Sequence, residues 1–336
     1  MKPITGLRAG LNAGRRAAIM LLLSLAGMGT ALADCTNGTG AATGSASFGT
    51  QSSFTVNGTQ QLVTANTGYR CTGGALALLA TNTIRVTLSS STNGTGTTPR
   101  LFAAANGAIP AGYVPYTLCI DSGCANTVPI GGSYTYTQTS LLGLLGLFTG
   151  TNGTLPLYVK TTLANVPAGT YNDTLNLSWA SHVCFIGILG LCSYTDQTAT
   201  TTIPVTLVVT NFCYLDSAPN VSFGSNPFPS NFTTPVTSNS LSVRCTQSAA
   251  YTIKMTSSNP LVGNYRQMSS LINGTTYYLQ YQILKADATV WSPTNDQGAT
   301  GNGNSQAVGY TAQVNTTQAN VPAGTYSDTV TVTVTY

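Results

Sequence analysis

Apolar and polar residues alternate in short runs along most of the chain. Examples are Thr83-IRVTL-Ser89, Leu157-YVKT-Thr162, Tyr251-TIKM-Thr256 and Tyr277-YLQYQI-Leu284. Period-two alternation between turn signals predicts half-buried β-strands. In Thr329-VTVTVT-Tyr336 the valines face one way and the threonines the other; in Thr200-TTIPVTLVV-Thr210 the same holds for Ile203, Val205, Leu207 and Val209. Pro204 suits an edge or a bulge in the latter strand. Two stretches break the rule, Leu141–Phe148 (LLGLLGLF) and Phe185–Leu191 (FIGILGL), with Gly73–Ala80 (GGALALLA) a weaker third. Each is an apolar run punctuated by glycine or alanine, and the second is closed by Cys184 and Cys192. No segment after the N-terminal region has a convincing helical period.

The N-terminal region reads as an export signal over residues 1–33. Lys2, Arg8, Arg15 and Arg16 precede the apolar Ala17–Ala26, and Ala31-Leu32-Ala33 supplies a small-x-small cleavage site. The expected mature chain starts at Asp34, with Cys35 following at once. It then carries eight basic residues against eight aspartates, and no glutamate. The basic character of the whole sequence therefore belongs to the signal, and no cationic stripe remains for nucleic acid. Abundant Thr, Val and Tyr with scarce Glu and Lys make this a β-protein composition.

Eight cysteines in an exported chain predict disulfides. Sequence alone leaves connectivity open. Spacing suggests Cys119–Cys124 and Cys184–Cys192 as local pairs, with Cys35–Cys71 and Cys213–Cys245 at longer range. A metal site is not expected: His182 is the only histidine and no C-x2-C pair exists. No cofactor is expected either. Asp121 and Asp328 read as turn caps. A Ser-His-Asp reading around His182 and Asp173 lacks a G-x-S-x-G element, so the chain is not expected to be an enzyme.

The chain repeats itself. Asn165–Thr174 (NVPAGTYNDT) and Asn320–Thr329 (NVPAGTYSDT) are identical at nine of ten positions. Upstream, Cys35…Ser47-Phe48-Gly49…Arg70-Cys71 corresponds to Cys213…Ser222-Phe223-Gly224…Arg244-Cys245. The expected domains are 34–210 and 211–336, both antiparallel β-sandwiches. They differ at their ends. The first continues past its motif through the cysteine-closed run and the strand 200–210; the second stops on the strand right after its motif. A sandwich one strand short has an unpaired edge, a template for strand addition.

With its Cys…SFG…RC opening, Tyr-x-Leu-x-Tyr region and terminal VPAGTYSDTVTVTVTY, the sequence resembles the spore coat protein U domain, which forms subunits of archaic chaperone–usher pili. The resemblance covers essentially the whole mature chain and is strongest over 213–336. It implies an all-β fold of two immunoglobulin-like sandwiches, the C-terminal one incomplete and completed by donor-strand complementation. It implies a periplasmic pilus chaperone, an outer-membrane usher and an adjacent pilin donating an N-terminal strand as partners. The layout resembles that of tip adhesins in the family: a first domain completed internally by Ile203, Val205, Leu207 and Val209, and no donor extension before Cys35. Export through the periplasm to a pilus tip on the bacterial surface follows.

Tip adhesins of this family carry apolar loops at the distal end of their first domain. The candidates here are Leu141, Leu142, Leu144, Leu145, Leu147 and Phe148; Phe185, Ile186, Ile188, Leu189 and Leu191; and Leu76, Leu78 and Leu79. Fully burying such side chains gains about 1.5–3 kcal/mol each, so an abiotic or other hydrophobic surface is the expected target, with biofilm formation as the lasting role. Two alternatives stand beside this reading. One is a structural coat, matrix or major pilus subunit with no tip role. The other is a lectin tip using Tyr134, Tyr136 and the Tyr277, Tyr278 and Tyr281 cluster.

Overall fold

The computed structural model describes residues 34–36, 44–67, 69–72, 81–137, 155–188 and 191–336. The side chains of 34–36, 70–72, 185–188 and 191 fall outside that description, as does the signal segment 1–33. The regular elements among the described residues are strands apart from a short helix, α1 (Ser53–Gly58), and one 3-10 turn at Pro229–Asn231. Helix α1 has no counterpart in the sequence reading. Six residues are too few to display a helical period, and a side-chain cap from Ser52 to the Thr55 N–H helps to hold it.

The first half forms a ten-stranded sheet around one core. Its main path runs β2 (Ala46–Ser52), β12 (Leu191–Thr210), β11 (Gly169–Ile188), β6 (Arg100–Ala103), β7 (Gly112–Cys119), β10 (Leu157–Thr161) and β3 (Leu62–Ala65). Strand β5 (Thr83–Ser91) flanks β11 and carries β9 (Ser133–Tyr136), while β8 (Thr127–Val128) pairs with β7. A bridge between Ser45 and Asn66 brings the two ends of the path together. The alternation read in the sequence is the burial pattern: Ile84, Val86 and Leu88 on β5, Leu157 and Val159 on β10, and Ile203, Val205, Leu207 and Val209 on β12 all lie in the core. A separate pair, β1 (Asp34–Thr36) with β4 (Arg70–Thr72), sets Cys35 opposite Cys71.

The second half has its own core and two sheets. One orders β13 (Cys213–Ser217), β14 (Val236–Cys245), β19 (Ser305–Val314), β17 (Thr275–Lys285) and β16 (Arg266–Ile272); the other orders β18 (Gln297–Thr300), β15 (Ala250–Ser257) and β20 (Val330–Thr335). Leu241, Val243, Ile253, Met255 and Trp291 fill the space between them. Arg266 is buried here, a feature the sequence pattern did not mark. Its guanidinium donates to Met255 O at 3.0 Å, Trp291 O at 2.8 Å and Ser257 Oγ at 3.1 Å. Burial holds its pKa below the usual arginine range, and the three acceptors compensate the lost water.

Disulfides join Cys119 to Cys124, Cys184 to Cys192 and Cys213 to Cys245. For Cys35 and Cys71 the backbone register is described and the side chains are not.

Candidate functional site

The repeated ten-residue motif builds the same local device twice. The Tyr171 hydroxyl donates to Pro167 O at 2.7 Å, and the Tyr326 hydroxyl donates to Pro322 O at 2.7 Å. Tyr116 donates to the Asp173 carboxylate at 2.6 Å, and Tyr281 to Asp328 at 2.7 Å. Gly49 and Gly224 of the two Ser-Phe-Gly triplets both have positive φ, 65° and 76°, which favours glycine. Burial, then the bond to Asp328, pushes the Tyr281 phenol up. Burial raises Tyr171 to about 12.

What surrounds the device differs. In the first half β12 lies between β11, antiparallel, and β2, parallel. Ile203 stands opposite Leu175, Val205 opposite Asp173 and also Ala46, Leu207 opposite Tyr171, and Val209 opposite Gly169. Pro204 sits just before the pairing with β2 begins at Val205. Among the described residues the corresponding place in the second half is open. Strand β20 pairs with β15 on one side and is the last strand of its sheet on the other, and the stretch after β13, equivalent to β2, forms no ladder.

Two adjoining cavities mark the gap. One, of about 310 Å³, is lined by Leu241, Met255, Ile283, Asp328, Val330 and Val332; the other, of about 720 Å³, by Phe228, Phe232, Leu279, Val321 and Pro322. Val221, Phe223, Met268 and Tyr326 line both, so together they form one apolar groove. Residues that the first half buries are half-buried here: Val221 and Phe223 against Ala46 and Phe48, and Val330, Val332 and Val334 against Leu175, Leu177 and Trp179.

The other distinctive feature is an arm at the end of β11 and β12. Strand β5 flanks β11 only as far as His182, opposite Thr83. Beyond it, among the described residues, the two long strands pair only with each other, through a register shift between Cys184 and Ile186, to Ile188 opposite Leu191. The sequence reading of Phe185–Leu191 as a loop is thus corrected: Phe185, Ile186 and Ile188 are on β11 and Leu191 begins β12, a hairpin tip in which backbone pairing outweighs the missing polar alternation. At the base, His182 Nδ1 meets Asp196 Oδ1 at 2.7 Å and its ring stacks on Tyr194 at 4.1 Å, while Thr81 hydrogen-bonds the Tyr194 hydroxyl. The Cys184–Cys192 disulfide crosses the arm near its end. Leu189 lies outside the described residues, as do Leu141, Leu142, Leu144, Leu145, Leu147, Phe148, Leu76, Leu78 and Leu79.

The remaining candidates have other partners. Tyr136 is buried, and the half-buried Tyr134 meets it edge-on at 5.1 Å against the core. Tyr281 is buried too, and Tyr277 and Tyr278 are half-buried. Asp173 is taken by Tyr116 and Ser91, far in role from His182. Asp121 accepts the N–H groups of Ala125 and Asn126, which holds its carboxyl below the usual range, as a turn cap does. Among the described residues no cluster of His, Cys and Asp suits a metal.

The model of the Spore Coat Protein U domain matches residues 22–178 and 199–333. The chain belongs to the Spore Coat Protein U domain family. Among solved structures, this family member is similar to the chaperone–tip adhesion subunit pre-assembly complex CsuC–CsuE from archaic chaperone–usher Csu pili of Acinetobacter baumannii. The match has 23% identity and a TM-score of 0.54, covering 90% of this chain and 100% of that one. The CupB6 tip adhesin of Pseudomonas aeruginosa also matches, at 13% identity and a TM-score of 0.31, over 91% of this chain and 95% of that one. No curated protein matches the chain in sequence. The fold shared with the Csu subunit is that of two β-sheet bodies in one chain.

Proposed function

We propose that this protein is the tip adhesin of an archaic chaperone–usher pilus, with domain one (34–210) attaching to surfaces and domain two (211–336) joining the fibre. One observation carries the reading: the position that β12 fills in domain one is an open apolar groove in domain two. A domain closed by its own strand has no vacancy for a neighbour. A domain with an unpaired edge and half-buried valines gains main-chain hydrogen bonds and apolar burial when an extended segment enters. In the periplasm that segment belongs to a chaperone delivering the chain to an outer-membrane usher; in the fibre it is the N-terminal strand of the adjacent pilin.

Attachment is assigned to the apolar runs of domain one, 141–148 and 185–191, with 76–79. The arm supports this for the second run, since two paired strands, a disulfide and the His182–Asp196–Tyr194 staple pre-order it, and pre-ordering lowers the entropy cost of binding. Export to the cell surface and a role in biofilm formation on abiotic or hydrophobic surfaces belong to the same proposal. Cells displaying pili with Leu144→Ser, Leu145→Ser, Ile186→Ser and Ile188→Ser should lose adhesion to polystyrene at equal pilus display. Unchanged adhesion would reject the apolar contact and redirect the search to a glycan ligand.

A further inference from the structure

The two domains meet at a built joint, and the repeat places an equivalent, vacant joint at the far end of domain two. Strand β12 leaves the first core at Thr210, opposite Ser52, immediately before α1. Only Asn211 and Phe212 separate it from β13. The body of domain two is therefore delivered onto α1. There the buried hydroxyls of Ser53 and Thr246 hydrogen-bond at 2.6 Å, and the Thr246 hydroxyl also accepts the Phe212 N–H at 2.8 Å. Phe54 packs on Tyr214 at 5.1 Å, with the Arg244 guanidinium over both rings and paired to Asp216. Asn165, first residue of the repeated motif, donates to Asn302 O at 2.9 Å and packs so tightly on Gly303 that a Cβ there would collide with it.

Residues 200–336 thus relate to domain one as a strand-donating subunit relates to its acceptor: a completing strand, a short link, then a folded body seated on the acceptor's end. Counting along the Ser-Phe-Gly repeat, Ser53 and Phe54 correspond to Phe228 and Pro229, and the 3-10 turn Pro229–Asn231 takes the place of α1. Along the motif, Asn165 corresponds to Asn320. Phe228 and Asn320 are exposed, Phe228 at 52%, and Phe228 lines the groove together with Val321. A strand seated in the groove with the direction and register of β12 would leave it beside Pro227 and Phe228.

We propose that the surface formed by the exposed Phe228 and Asn320 is a second docking site, which seats the folded body of the subunit whose strand fills the groove. Its partner is a domain of this same fold, with its first-strand end turned toward Phe228. The inference rests on the strand-accepting reading above and adds a contact beyond the strand itself.

The test is photocrosslinking in assembled pili, using the full chain with p-benzoyl-phenylalanine at Phe228 or, separately, at Thr333 on the open edge of β20. Both probes are expected to capture the same pilus subunit, the Phe228 probe through its folded body and the Thr333 probe through its N-terminal strand. Capture at Thr333 with none at Phe228, or with a different protein there, overturns the docking site and leaves the strand-accepting reading intact. No capture at either position rejects both.

Discussion

Asn165–Thr174 and Asn320–Thr329 are almost the same ten residues in two different surroundings. In domain one Val166, Tyr171 and Asp173 are buried beneath β12; in domain two Val321, Tyr326 and Asp328 are half-buried beside an empty lane. The internal hydrogen bonds are alike, Tyr171 to Pro167 and Tyr326 to Pro322 at equal length. The motif therefore sets the local turn and does not decide whether the sandwich is closed. Closure comes from the strand laid against it. That separates a domain closed by its own strand from one whose lane is open among the described residues.

The largest effect should come from weakening the strand that makes the difference. Leu207→Ala removes a fully buried side chain and should lower the stability of domain one by about 2–5 kcal/mol in denaturant unfolding. Val332→Ala, half-buried in the open groove, should cost less than about 1 kcal/mol in the free chain. Its cost should rise once a strand peptide is bound. Equal costs in the free chain would mean that the two grooves are equally closed.

A smaller, local effect is expected at the arm. Cys184→Ser with Cys192→Ser opens a loop closed across a sequence separation of 8, a change of about 2.5 kcal/mol in the chain-entropy account. Because among the described residues the strands beyond His182 pair only with each other, the loss should appear as faster amide exchange in 183–193, with little change in the melting of the domain-one core.

The smallest effect compares the two motif tyrosines. Tyr171→Phe should cost about 1 kcal/mol for its buried hydrogen bond, and Tyr326→Phe less, since it is more exposed. The pH dependence sharpens the contrast. Burial raises Tyr171 to about 12, so the folded state favours the neutral phenol. Its contribution is fully present below the ordinary tyrosine pKa near 10 and is lost as pH rises from there through about 12. Alkaline unfolding of domain one should lose part of its pH dependence in Tyr171→Phe.

Much of this was legible in the sequence because period-two alternation and the repeat are direct records of burial. Ile203, Val205, Leu207 and Val209 alternate because one face of β12 fills a core, and Val330, Val332 and Val334 alternate because one face of β20 packs on the second core. The arm reads as a loop in the sequence, since Phe185-Ile186-Gly187-Ile188 lacks polar alternation and only ladder pairing reveals a strand. The joint was not legible at all. Ser53 and Thr246 are 193 residues apart, and a serine beside a phenylalanine has no pattern that announces an interface. Buried Arg266 escaped notice for the same reason: its acceptors are backbone carbonyls and a hydroxyl brought together only by folding.

The central claim is that the groove of domain two accepts a strand in the way domain one holds β12. The most direct measurement is amide hydrogen exchange over Val330–Thr335 of the full chain, with and without a synthetic peptide of residues 200–210. Added peptide should protect the β20 amides, while a scrambled peptide of the same composition should not. Unchanged exchange on β20 at saturating peptide, or equal protection by the scrambled control, would contradict it.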